Sequence, residues 1–125
     1  MLQPKLFDVI HLQTGTQSLL ATVMLNAAHS IFSGHFPGSP VLPGVCQIEM
    51  LKEILETGLN TKLSIPEIGS VKFLNVIEPQ HTPELKVQID FNTPVNGIYN
   101  TSASIAAGER FFLKFKGNFK TTNEH

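Results

Sequence analysis

The residues predict an α+β protein with a single helix, one strand before it and a run of strands after it. Three observations carry this. One stretch, residues 44–59, repeats its apolar positions with a helical period. After Pro66 four segments of β-favouring residues follow one another, separated by prolines and glycines. One further strand-like segment, residues 18–28, precedes the helix.

In chain order, Ser-Leu-Leu-Ala-Thr-Val-Met-Leu-Asn-Ala-Ala at 18–28 partly alternates apolar and polar, as a half-buried strand does. Residues 30–43 hold too many prolines and glycines for regular structure and read as a loop. From Gly44 to Leu59, Val45, Ile48, Leu51, Leu55 and Leu59 form the apolar stripe, and Lys52, Glu53 and Glu56 lie mostly opposite. Thr57-Gly58 is placed to end that helix. Ile48, Met50, Leu51 and Ile54 widen the stripe, so the helix is expected to be covered on most sides. The later strands are expected at Val71–Ile77, Leu85–Phe91, Ile98–Ala106 and Arg110–Lys120. The last two, joined by Ala107-Gly108-Glu109, read as a hairpin.

At 125 residues, 42% apolar and 15% charged, the composition is that of one ordinary globular domain spanning 1–125, with residues 121–125 as a flexible tail. A net charge of -1 gives no support to nucleic-acid binding. Residues 1–10 have no signal-peptide core, and no apolar run reaches the length of a membrane span. The single cysteine, Cys46, fits a reducing compartment, and a cytoplasmic location is expected. His11, His29, His81 and His125 are too scattered for a metal motif, so no metal is expected.

The most informative stretch is His35-Phe36-Pro37-Gly38-Ser39-Pro40-Val41-Leu42-Pro43-Gly44, with Glu49 five residues on. Its three prolines and two glycines nearly dictate the backbone path. A titratable base opens the loop, a helix begins at its end, and that helix carries a carboxylate between Ile48 and Met50. These are the parts of a proton-transfer site. Burial in that apolar turn would favour the neutral, protonated acid. The amides of Gly44 and Val45 open the helix, where the first N–H groups lack helical partners and the dipole is positive, which suits an enolate-like oxygen. Gly38 and Gly44 would let a ligand approach the backbone, although plain turn-forming roles explain them equally well.

GHFPGSPVLPGVCQIEM, from Gly34 to Met50, resembles the bacterial 3-hydroxyacyl-[acyl-carrier-protein] dehydratases, which share His-Phe-Pro-Gly-x-Pro-Val-x-Pro-Gly-Val followed by Ile-Glu. The separation of 14 between His35 and Glu49 is the family's. The resemblance implies the hotdog fold, and a reaction that turns a 3-hydroxyacyl thioester on acyl carrier protein into the trans-2-enoyl thioester. It implies His35 as the base at C2 and Glu49 as the acid at the 3-hydroxyl. Phe36, Gly38, Gly44 and Val45 would line the substrate, and no cofactor is needed. It further implies a homodimer or higher assembly, with each site built from His35 of one chain and Glu49 of the other. The pathway would be fatty-acid or specialised lipid or polyene synthesis.

The chain departs from the family where Glu53 replaces a familiar glutamine four residues after Glu49. Cys46 is set aside as a nucleophile because dehydration needs no covalent intermediate. Lys114, Lys116 and Lys120 alternate on β-favouring residues; the bland reading is a solvated strand face, the functional one a patch for an acidic carrier. The rival activities are a hotdog thioesterase, which also uses a helix carboxylate but leaves the histidine loop without a role, and a non-catalytic acyl-binding subunit.

Overall fold

The computed structural model describes residues 5–32 and 40–122. The chain runs β1 (Phe7–Thr14), β2 (Ser18–Leu25), a single 3-10 turn at Ser30–Phe32, and then α1 (Gly44–Leu59). It continues with β3 (Glu67–Phe73), β4 (Glu84–Phe91), β5 (Ile98–Ala107) and β6 (Arg110–Lys120). The strands form one antiparallel sheet in the order β1-β2-β4-β5-β6-β3, so β1 and β3 are its edges. The α1 helix lies on one face of the sheet, the hotdog arrangement.

Strand alternation builds that face. Leu19, Ala21 and Val23 of β2 and Leu85, Val87 and Ile89 of β4 are buried, as are Ile105 of β5 and Leu113, Phe115 and Phe119 of β6. They pack with Met50, Leu51, Ile54 and Leu55 of α1 in one core cluster. Each of these side chains larger than alanine contributes roughly 1.5–3 kcal/mol by leaving water. Gly58 belongs to this packing and is not the helix stop. A Cβ there would lie 2.7 Å from Leu19 Cδ2, so the glycine lets α1 settle on β2. The helix runs on to Leu59 and stops at Asn60, whose left-handed φ of 52° caps it with an N–H bonded to Glu56 O.

Several boundaries differ from the sequence expectation, each for a local reason. The β1 strand is unforeseen: it is a largely exposed edge with a bulge between Val9 and His11, so it carries no clean apolar alternation. The β2 strand ends at Leu25 and not at Ala28, because Asn26 turns the chain, its Oδ1 accepting from Ala28 N at 3.1 Å. The third strand lies at Glu67–Phe73 and not at Val71–Ile77. Leu74 still donates to Phe112 O of β6 at 2.8 Å, but the chain then leaves the ladder, and Ile77 is fully buried with its carbonyl accepting from Leu42 N at 2.8 Å.

The β5–β6 hairpin forms as expected, on a two-residue turn in which Gly108 takes φ 59°. A bulge in β6 opposite Ile105 and Ala106 shifts the facing of the next residues. Phe112 is therefore buried and Phe111 is 41% exposed, the reverse of simple alternation. Thr121 and Thr122 donate backbone hydrogen bonds to Gly97 O and Lys62 O, so order extends two residues into the stretch expected to be a tail. No helix among the described residues is long and apolar enough to cross a membrane.

Candidate active site

His35, Phe36 and Gly38 lie outside the described residues. The site is therefore built from the residues that follow them. Leu42 is buried and its N–H is held by Ile77 O, which fixes the approach to the helix. Pro43 caps α1 without a side-chain hydrogen bond, and its carbonyl accepts from Cys46 N and Gln47 N. The two preceding helical amides, Gly44 and Val45, find no acceptor among the described residues. Two N–H groups with no acceptor among the described residues stand at the positive end of a 16-residue helix, an arrangement that can stabilise negative charge.

What approaches Gly44 most closely is a ring. A Cβ on Gly44 would meet Phe73 Cζ at 2.6 Å, so the glycine lets the edge strand β3 lay Phe73 across the helix start. Phe73 is still 50% exposed, and Val45 beside it is 76% exposed. Val45 thus leaves the buried stripe, which consists of Gln47, Met50, Leu51, Ile54 and Leu55. The expectation of a helix covered on most sides is not met within one chain.

Glu49 falls one helical turn after Val45 on this same open side. The expected burial among apolar residues is absent in the single chain: the side chain is 52% exposed. Helix rotation is the reason, since Ile48 and Met50 point away to either side while Glu49 continues the line from Val45 to Glu53. The carboxylate meets Lys52 Nζ at 3.6 Å, and Lys52 also meets Glu56 at 3.6 Å. Glu56 is itself anchored, accepting from Leu63 N at 2.8 Å. The line of contacts from the 61–64 segment through Glu56 and Lys52 helps to steady the Glu49 carboxylate.

Burial pushes the Glu53 carboxyl up from its ordinary value, and the neighbouring Glu49 pushes it further by repulsion and by a shared hydrogen bond. Lys52 opposes this shift. Burial, with Glu49 second, also holds the Cys46 thiol up, so it is a poor thiolate. Gln47 is 3% exposed, its Nε2 donating to Leu42 O at 3.2 Å while Oε1 has no partner among the described residues. That amide pins the first turn of α1 to the incoming chain.

The structure thus sets Val45 and Glu49 on one side of α1, with Gly44 at the start of the same helix. Phe73 and Lys52 join them. Lys52 was visible as a charge three residues from Glu49, whereas nothing local in the sequence points to Phe73. Lys114 and Lys116 stand elsewhere, on the sheet face away from α1.

The ApeI-like family, described as ApeI dehydratase, matches residues 11–109. Among named relatives, a 3-hydroxyacyl-[acyl-carrier-protein] dehydratase FabZ of Chloroflexus aggregans is 32% identical over 92 residues, covering 66% of this chain and 61% of that protein. The FabZ of Ligilactobacillus salivarius is 39% identical over 70 residues, covering 48% of each. The chain therefore spans about half to three fifths of the length of these relatives. Among solved structures, the dehydratase heterocomplex ApeI:P from Xenorhabdus doucetiae aligns with a TM-score of 0.71 at 23% identity, covering 90% of this chain and 96% of that one.

Proposed function

The chain belongs to the ApeI-like dehydratase family, and from that membership we propose that it dehydrates a 3-hydroxyacyl thioester carried on acyl carrier protein. The observation that carries the reading is the placement of Glu49: an accessible carboxyl one turn after Val45, on the helix whose first amides, Gly44 and Val45, find no acceptor among the described residues.

In the proposed reaction, the thioester carbonyl oxygen lies at the Gly44 and Val45 amides. The neutral His35 imidazole takes the proton from C2, and the negative charge grows on that oxygen, where the amides and the helix dipole stabilise it. The electron pair closes the C2–C3 double bond as the C3–O bond breaks. Protonated Glu49 gives its proton to the departing hydroxyl, and water leaves in place of hydroxide. Imidazolium and carboxylate then exchange protons with solvent to restore the starting state. No redox step occurs, and the pair of side chains supplies every proton moved.

We further propose that the working unit is a dimer in a cytoplasmic setting, with Glu49 facing a histidine of the second chain. Its exposure supports this, because a carboxyl aimed away from its own core is free to complete a neighbour's site. The β3 edge strand supports it too. Among the described residues that strand pairs only with β6 and, with the segment after it, exposes Ile68, Phe73, Leu74 and Val76, each between 45% and 56% accessible. An uncovered edge with this much apolar surface is the kind that a second strand covers.

The test is to supply a 3-hydroxyacyl thioester on acyl carrier protein and follow two products. Enoyl absorbance without thiol release is the expected result. Free thiol without enoyl product would make the protein a thioesterase, and silence in both assays would make it a binding subunit.

A further inference from the structure

The sheet face turned away from α1 carries a cleft of about 480 Å³ that the proposed reaction does not use. Strand register builds it. The residues of β4, β5 and β6 that alternate with the core positions point outward here, and pairing aligns them into two rows. One row is Lys72, Lys114, Ser104 and Gln88, crossing from β3 through β6 and β5 to β4. The next row is Ser70, Lys116, Ser102 and Asp90 across the same four strands. All eight line the cleft.

The charge in these rows is uneven. Lys72 and Lys114 stand directly opposite each other, a like-charge pair that destabilises an antiparallel ladder. Lys116 lies two residues along β6 on the same face. None of the three makes an ion pair among the described residues, and Lys114 rests its Nζ 5.0 Å from the centre of the Phe111 ring. The carboxylate of the lining, Asp90, is on the far strand and accepts from Gln88 Nε2 at 3.0 Å. The protein as a whole carries a net charge of -1, so three unpaired lysines in one recess are a local concentration of positive charge. Between the two ends the floor is made of short hydroxyl side chains, Ser102 and Ser104, which leave room above them.

We propose that this cleft binds a small sugar phosphate, the phosphate lying between Lys72, Lys114 and Lys116 and the sugar hydroxyls reaching Asp90 and Gln88. Lysines and serine hydroxyls supply the donors that a phosphate group needs. A carboxylate and an amide at the other end suit neutral hydroxyl donors and repel a second anion. The volume is that of a small-molecule site, for which about 300–1,000 Å³ is usual. A second copy of the same face would set positive charge against positive charge. A carrier-borne acyl arm held here would have the whole sheet between it and Glu49. The inference therefore stands apart from the proposed dehydration, and either can fail alone.

The experiment is amide NMR on the full chain, titrated separately with ribose 5-phosphate, pyrophosphate and ribose. Both phosphates should move the amides of Ser70, Ser102, Ser104, Lys114 and Lys116, and ribose alone should not. The double variant Lys72→Glu with Lys114→Glu should weaken both phosphates by about tenfold or more, since it removes charge-assisted hydrogen bonds. Asp90→Asn should weaken ribose 5-phosphate while leaving pyrophosphate binding intact or tighter. These side chains are at the surface, and unchanged spectra for core amides verify the fold. If the double variant fails that check, Lys114→Gln serves, with the same direction expected. Binding undiminished in the lysine variants, or shifts confined to the start of α1, would overturn the proposal. So would acyl carrier protein moving these amides while both phosphates leave them still, which would assign the face to a protein partner.

Discussion

The ammonium of Lys52 stands 3.6 Å from the carboxylate of Glu49, three residues earlier on the open side of α1. Because Lys52 is held at the same distance by Glu56, and Glu56 by the Leu63 amide, Glu49 is steadied by its own helix while remaining accessible. The proposed acid is thus positioned without being enclosed among the described residues.

Replacing the proposed acid and base is the direct check. Glu49→Gln and His35→Ala are each expected to lower the dehydration rate by about a hundredfold or more, the usual worth of a positioned proton donor or acceptor. Circular dichroism should show an intact fold, since Glu49 is half exposed. Near-normal turnover in either variant would remove that residue from the mechanism.

Mixing the two inactive variants tests the shared site. If His35 and Glu49 come from different chains, exchanged dimers will hold some intact pairs, and activity should reappear on mixing. Subunit exchange confirmed by mass with no recovery of activity would place both residues of each site in one chain.

Glu53 predicts a pH dependence of stability. Its carboxyl is raised in the folded chain, first by burial and then by Glu49. The folded state therefore holds this proton to a higher pH than the unfolded chain does. Its contribution is fully present below the unfolded carboxylate value, and is lost as pH rises through the raised folded value. Glu53→Gln should then unfold at a higher temperature than wild type at pH 7, with the gap closing towards pH 4. An equal gap at both pH values would show that ionisation of Glu53 is not the cause.

Gly58→Ala sets two effects against each other. Alanine in a helix interior gains up to about 1 kcal/mol over glycine. Forcing a methyl into a packed core costs about 1–3 kcal/mol. With Leu19 Cδ2 2.7 Å from the new Cβ and Leu19 only 2% exposed, the second effect should win, and the unfolding midpoint should fall. In a Leu19→Ala background the clash disappears, and the same substitution should raise the midpoint. A stabilised single variant would show that α1 and β2 have slack.

The resemblance of Gly34–Met50 to the dehydratases was legible because its information is local. Its residue types and spacing lie in one short stretch, and the helical period marks the start and span of α1, Gly44–Leu59. The β4, β5 and β6 strands were legible for the same reason: alternation against a core writes itself into the chain. Edge strands leave no such trace. The β1 strand is exposed along most of its length, and β3 begins with Glu67-Ile68-Gly69-Ser70, all exposed, so neither shows a buried face to read.

The candidate site divides the same way. Residue types and the spacing of 14 between His35 and Glu49 are properties of the sequence. Which side of α1 each residue faces was decided only when the helix lay down on β2 and β4, because core contacts choose its rotation. That rotation turned Glu49 and Val45 outward where apolar neighbours in sequence suggested burial. Phe73 reached Gly44 across 29 residues, and Lys72 came to face Lys114 across 42, by strand pairing alone. Contacts at such separations depend on register and on how tightly layers pack, and neither is encoded by any single stretch of residues.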